Sequence, residues 1–167
     1  AFMYCVSLSE VVFPSTLINL GIGAYQNCDA LTSVTIPGSL TNIGEECFYC
    51  CDNLHTVTIQ EGVTVLPAGV FYFNTKLETV YLPVSLKKID SAVFAGCDFL
   101  TDVYYAGSNL QWEKVVIDAG NEALEDATIH FAVFEDPYSG GKGNSMRYMA
   151  LSPRDNTLKV IGLENVF

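Results

Sequence analysis

Residues 31–53 read LTSVTIPGSLTNIGEECFYCCDN. The second half looks like chemistry: a CxxC formed by Cys47 and Cys50, a third thiol at Cys51, and His55 shortly after. What flanks the stretch decides its meaning. LSEVVFPSTLINLGIGAYQNCDA precedes it over 8–30, and LHTVTIQEGVTVLPAGVFYFNTK and LETVYLPVSLKKIDSAVFAGCDF follow over 54–76 and 77–99, with no gap. All four blocks fit the frame LxxVxIPxSLxxIGxxAFxxCxx. A repeat of this length marks a solenoid, in which one coil cannot bury its own apolar side and its neighbours bury it instead. A divergent terminal repeat covers 100–131, opening as LTDVYYAGS, and Leu124 opens a further strand-like phrase, LEDATI. The first seven residues, AFMYCVS, match the end of the frame. The chain is therefore expected to be a piece of a longer protein, beginning mid-coil with any N-terminal cap upstream.

The repeat explains the thiols. Cys5, Cys28, Cys51 and Cys97 share one frame position, filled by Asn74 in the third full block, and Cys47 takes a slot held elsewhere by Ala24, Val70 and Val93. Cys that alternates with Ala and Val behaves as a small hydrophobe. A zinc site needs matched pairs of ligands, and His55 has no companion at finger spacing. Free, buried thiols are expected, with no metal or other cofactor. A bridge between stacked neighbours such as Cys5 and Cys28 is within Cα reach, but in-register side chains give it poor geometry.

Within each block LxxVxI reads as a strand with Leu, Val and Ile on one side. Pro14, Pro37 and Pro83 close it, because proline cannot continue a ladder. Gly21 and Gly44, replaced by Pro67 and Asp90, mark a turn. Phe2, Tyr25, Phe48, Phe71 and Phe94 share one position and predict a stacked spine of rings. The 23-residue coil is too short for a long convex helix and has room for turns or a short 3₁₀ segment around EECF and SAVF. Ser108 and Gln111 have capping-box spacing before LQWEKV, which predicts a short helix there. Trp112 is expected to cover the open core at that end.

The frame LxxVxIPxSLxxIGxxAFxxC resembles the BspA-like subclass of leucine-rich repeats over residues 1 to about 131, and the closing VYYAGSNLQWEKVVIDAGNEALEDATIHF resembles the terminal block of that family. The resemblance implies a leucine-rich-repeat solenoid with a parallel sheet on its concave face and short turns on its convex side. Where other leucine-rich repeats carry Asn or Cys after the strand, this chain has Thr16, Ser39, Gly62 and Ser85, so their asparagine ladder is not expected at that position. Residues 132–167 fall outside the array. EDPYSGGKGNS reads as a linker, and MRYMALS with TLKVIGL as a hairpin that either caps the solenoid or opens a next module.

Composition narrows the partners. Nineteen acidic against eight basic side chains give a net charge of −11, which repels phosphate backbones and argues against nucleic acid. No apolar run approaches the ~18–20 residues of a membrane span, and without a basic stretch followed by an apolar one at the start, no signal peptide is expected within these residues. A catalytic set is also missing. His55 and His130 are the two histidines, and His130 falls where Pro37 and Pro83 stand, at a strand end facing solvent. There is no GxSxG, and GGKGNS lacks the spacing of a phosphate-binding loop.

A non-catalytic binding module fits better. The second, third and fifth residues of LxxVxI point away from the core. At the fifth position the stack carries Val12, Thr35, Thr58, Tyr81 and Tyr104. Exposed tyrosines suit interfaces, since one rigid ring offers both apolar area and a hydroxyl. Tyr81, Tyr104, Glu78, Asp102 and His55 are therefore the candidate binding residues on the concave face, with the two carboxylates favouring a basic or amide-rich protein or peptide. Thr and Tyr also simply suit an exposed β surface, so a structural spacer is the other reading. The family resemblance implies a cell-surface or secreted protein that adheres to host or neighbouring-cell proteins.

Overall fold

The computed structural model describes residues 1–133 and the strands 148–152 and 157–162. In chain order its elements are β1 (Asn19–Leu20), β2 (Ser33–Ile36), β3 (Asn42–Ile43), β4 (Thr56–Ile59), β5 (Val65–Leu66), β6 (Thr79–Leu82), β7 (Lys88–Ile89), β8 (Asp102–Ser108), α1 (Asn109–Trp112), β9 (Val116–Ile117), α2 (Glu122–Asp126), β10 (Thr128–Val133), β11 (Tyr148–Ser152) and β12 (Thr157–Gly162). The LxxVxI phrases form one seven-stranded sheet ordered β12-β11-β10-β8-β6-β4-β2. From β2 to β10 it is parallel and in frame, with Val34, Val57, Val80 and Val103 side by side. These valines are buried, while Thr35, Tyr81 and Tyr104 on the opposite face are exposed, as period-two alternation demands. The short strands further round each coil pair separately, as β1-β3 and as β5-β7-β9.

The convex side is built of turns. Two repeat positions take left-handed backbone in each of the four full coils. Gly23, Glu46, Gly69 and Ala92 hold one (φ 58, 53, 62 and 55°), and Asn27, Cys50, Phe73 and Gly96 the other (φ 55, 55, 59 and 72°). Glycine suits that backbone, whereas a residue with a Cβ, such as Phe73, is strained there by roughly 1–2 kcal/mol. What holds these turns is a third ladder. The Tyr25 N–H donates to the Cys47 carbonyl (2.8 Å), Phe48 to Val70 (2.9 Å) and Phe71 to Val93 (3.2 Å), so each coil is bonded to the next on its outer side as well.

Inside, the aromatic spine forms as the frame predicts. Phe2–Tyr25, Tyr25–Phe48, Phe48–Phe71 and Phe71–Phe94 stack with ring centroids 5.2, 5.4, 5.7 and 5.9 Å apart. Phe48, Phe71 and Phe94 are fully buried; Phe2, in the first coil, is half exposed. Beside the spine runs a polar ladder, at positions where small apolar filler is expected from sequence. The thiols of Cys28, Cys51 and Cys97 donate to the carbonyls of Phe2, Tyr25 and Phe71 (3.2, 3.3 and 3.3 Å). In the same slot Asn74 donates to the Phe48 and Phe71 carbonyls (2.8 and 2.7 Å) and accepts the Cys51 N–H (2.9 Å). At the position where the asparagine ladder was not expected, Ser39 and Ser85 hydroxyls bond the carbonyls of Leu17 and Val63 (both 2.8 Å). All six cysteines are free.

The last coil departs from the frame. Ser108 and Gln111 form the expected capping box around α1, and Trp112 packs on Tyr105 with centroids 5.1 Å apart. LEDATI is not a strand from Leu124. Residues Glu122–Asp126 form α2, with Leu124 buried, and β10 begins only at Thr128. Asp102 pairs with Thr128, Val103 with Ile129 and Tyr104 with His130. His130 therefore sits within the strand, in the tyrosine position, and not at a solvent-facing strand end. Beyond it, β11 pairs antiparallel with β10 and with β12, the hairpin read from MRYMALS and TLKVIGL. The linker EDPYSGGKGNS lies outside the described residues.

Candidate binding face

The outward face of the main sheet changes character along the stack. Its middle row runs Thr35, Thr58, Tyr81, Tyr104 and His130, in register on β2, β4, β6, β8 and β10. In-register parallel strands bring equivalent side chains within stacking distance. Tyr81 and Tyr104 stack at 4.9 Å with planes 16° apart, and Tyr104 and His130 at 4.3 Å with planes 10° apart. The two tyrosines remain 43% and 39% exposed.

Asp102, in the neighbouring row, holds the third ring in place. Its Oδ1 lies 2.7 Å from His130 Nε2, and its Oδ2 accepts the Thr101 hydroxyl at 2.8 Å. Partial burial works to raise the Asp102 carboxyl, but the hydrogen bonds from His130 and Thr101, with the His130 charge, outweigh it and hold the group below its ordinary value. Tyr104 is shifted up, first by burial and then by the charges of Asp102 and Tyr81.

The five residues singled out from sequence do not converge as one set. Tyr81 and Tyr104 stack, and Asp102 reaches them through His130. Glu78 stands exposed ahead of β6, its carbonyl accepting the Thr101 and Asp102 N–H groups (3.1 and 3.2 Å). His55 lies a coil before Tyr81, half-buried, with Nδ1 held by the Asn53 carbonyl at 2.5 Å. The residue that sequence reasoning missed is His130. Its signal was the alternation Ile129-His130-Phe131, which places an outward side chain between two inward ones.

The CFYCCDNLH groups disperse likewise. Cys47 and Cys51 are buried in the core, and Cys50 bonds Asp52 (3.6 Å). Among the described residues no three His, Cys, Asp or Glu side chains gather as a metal would require. A cleft of about 350 Å³ beside Trp112, walled by Ile117 and Leu124 and rimmed by Asp118, Glu122 and Glu125, offers no histidine, thiol or hydroxyl for nucleophilic chemistry. No helix among the described residues is long and apolar enough to cross a membrane.

Parallel strands repeated coil on coil, an inward leucine row and a turn-built outer side define the leucine-rich-repeat solenoid. The chain belongs to the family of the BspA type leucine rich repeat region, whose six copies match residues 1–118. It is similar in structure to a leucine rich cell surface protein from Faecalibacterium prausnitzii (25% identity, TM-score 0.51, covering 62% of this chain and 34% of that one). It is also similar to the leucine rich repeat protein of T. pallidum (26% identity, TM-score 0.59, 69% and 51%). A leucine-rich repeat protein from Eubacterium ventriosum shares the fold (22% identity, TM-score 0.59, 83% and 41%). This chain thus spans about a third of the F. prausnitzii protein and about half of the T. pallidum one. No curated protein sequence matches it.

Proposed function

We propose that this chain is a non-catalytic protein-binding module of a cell-surface or secreted protein, acting in adhesion through the sheet face centred on Tyr81 and Tyr104. The observation that carries the reading is the change along one row, from threonines in the early coils to stacked, exposed tyrosines in the later ones. Thr35 and Thr58 offer too little side chain to anchor a partner, whereas a tyrosine at the centre of an interface contributes about 2 kcal/mol or more. The similarity to a cell surface protein supports the location. The test is a pulldown from extracellular and surface proteins of candidate host or neighbouring cells, with Tyr81→Ala/Tyr104→Ala beside Thr35→Ala/Thr58→Ala. The tyrosine pair should lose affinity roughly 30-fold, the equivalent of that anchor energy, and the threonine pair should keep it. Equal binding by both variants and the parent contradicts the site. No binding by any of the three favours the spacer.

A further inference from the structure

The row of rings ends in a step. Tyr104 is covered on both faces, by Tyr81 at 4.9 Å and by His130 at 4.3 Å. Tyr81 is covered on one. Its plane lies 16° from that of Tyr104, so its second face looks back along the row toward Thr58, its register partner on β4. A threonine side chain ends at its γ atoms, level with the root of a tyrosine ring, and the outer part of that face stands clear. The charge around the step has one sign. From residue 8 to residue 104 the outward rows of the sheet carry Glu10, Glu78 and Asp102, and neither lysine nor arginine. Both Asp102 oxygens are engaged, one by His130 and one by Thr101. Glu78 is exposed, stands three residues before Tyr81, and has a carboxylate without a hydrogen bond or ion pair.

We infer that this step seats an arginine of a basic partner segment, its guanidinium laid on the open face of Tyr81 with Glu78 supplying the countercharge. The inference rests on the binding reading above and names the partner's chemistry within it. An aromatic face attracts a cation through the ring quadrupole. A planar guanidinium stacks there and keeps its N–H fork free for acceptors in its own plane, whereas an ammonium has neither the plane nor the fork. The tyrosines then differ in role: Tyr81 touches the cation, and Tyr104 holds the Tyr81 ring upright from behind. The net charge of −11 draws a basic segment at long range. Added salt should weaken that attraction and leave the preference for arginine, which is a contact effect.

The test uses the full chain and four immobilised peptides of equal length, built of Arg-Gly-Ser, citrulline-Gly-Ser, Lys-Gly-Ser or Glu-Gly-Ser repeats. Citrulline keeps the planar head of arginine without its charge. By interferometry near neutral pH the Arg peptide should bind roughly fivefold more tightly than the Lys peptide, the size of one cation–ring contact, with the citrulline and Glu peptides weakest. Thr58→Leu lays an aliphatic side chain against the open face without changing charge, and should bring the Arg peptide to the level of the Lys peptide. Tyr81→Leu should do the same, and Tyr81→Phe, which keeps the face, should not. Glu78→Gln should weaken the Arg and Lys peptides together. The δ-protons of the bound arginine should move upfield in NMR spectra, as protons over a ring face do, and urea midpoints near the parent's show that each variant is folded. Equal Arg and Lys binding, an Arg peptide no tighter than citrulline, a tighter Glu peptide, or a preference that survives Thr58→Leu and Tyr81→Leu overturns the inference. If no peptide binds while the pulldown still depends on Tyr81 and Tyr104, the arginine seat is wrong and the binding face stands. A pulldown indifferent to the tyrosines removes both.

Discussion

Burying an amide in a column of thiols is tolerable because every polar group of the Asn74 side chain has a partner: two carbonyls below its Nδ2 and one N–H on its Oδ1. Asn74→Leu would strand the Phe48 carbonyl and the Cys51 N–H, each a buried group whose desolvation costs about 1–3 kcal/mol, while the Phe71 carbonyl keeps the Cys97 thiol. A loss of about 3 kcal/mol or more is expected in urea unfolding, against about 1 kcal/mol for Asn74→Cys, which restores the thiol used in other coils. Equal midpoints for the two variants would show that the ladder contributes nothing. The slot was legible as one position, but its chemistry was not. Asn exchanging with Cys signals a shared hydrogen bond, and that signal was masked by Cys47, which exchanges with Ala and Val. Burial pushes Cys47, Cys51 and Cys97 up to about 12 from an ordinary 9.0. A raised thiol holds its proton longer folded than unfolded, so this contribution to stability is whole below about pH 9 and is lost as pH rises toward about 12. Thiol reagents should label Cys5, which is exposed, and half-buried Cys50 in the native chain, and the buried cysteines only on unfolding. Rapid native labelling of Cys51 or Cys97 would contradict the burial.

A single coil has no core of its own, so the elements stand or fall through their neighbours. Phe48→Ala or Phe71→Ala removes a ring stacked on both sides and should cost roughly 3–5 kcal/mol, as core Phe truncations do. An unchanged denaturation midpoint would mean that the spine is not a load shared between coils. Strands, spine and α1 were legible because each is written once per coil or carries a local signature. The β10 coil was not legible, because α2 takes up Leu124 and shifts the strand start, so counting by the frame puts His130 in the proline slot. The left-handed turns were also hidden, since Phe73 and Glu46 stand where local preference asks for glycine, and the ladder to the next coil overrides it. At the β8–β10 junction, Asp102 is held below its ordinary value of 3.8, so its contribution is present above that pH and is lost as pH falls through the lower folded value. Asp102→Asn should therefore be less stable than the parent near neutrality, with the gap closing in acid. A gap that persists in strong acid would detach the carboxylate from His130.

At the scale of the molecule, a uniform ladder carries a non-uniform surface. The threonine face of the early coils repeats what a parallel sheet needs, and the stacked rings of the later coils add what the fold does not need: two tyrosines held about two-fifths exposed, backed by a hydrogen-bonded histidine. A second group of rings lies on the outer turns, where Tyr49, Tyr72 and Phe73 cluster with Tyr72 and Phe73 centroids 4.6 Å apart. Two aromatic surfaces on opposite sides of one solenoid give the account its sharpest test, which is hydroxyl-radical footprinting of the tyrosines with and without the partner recovered in the pulldown. Tyr81 and Tyr104 should lose most of their reactivity on binding while Tyr49 and Tyr72 keep theirs. Protection of Tyr49 and Tyr72 with Tyr81 and Tyr104 unchanged would contradict it and move the binding face to the outer turns.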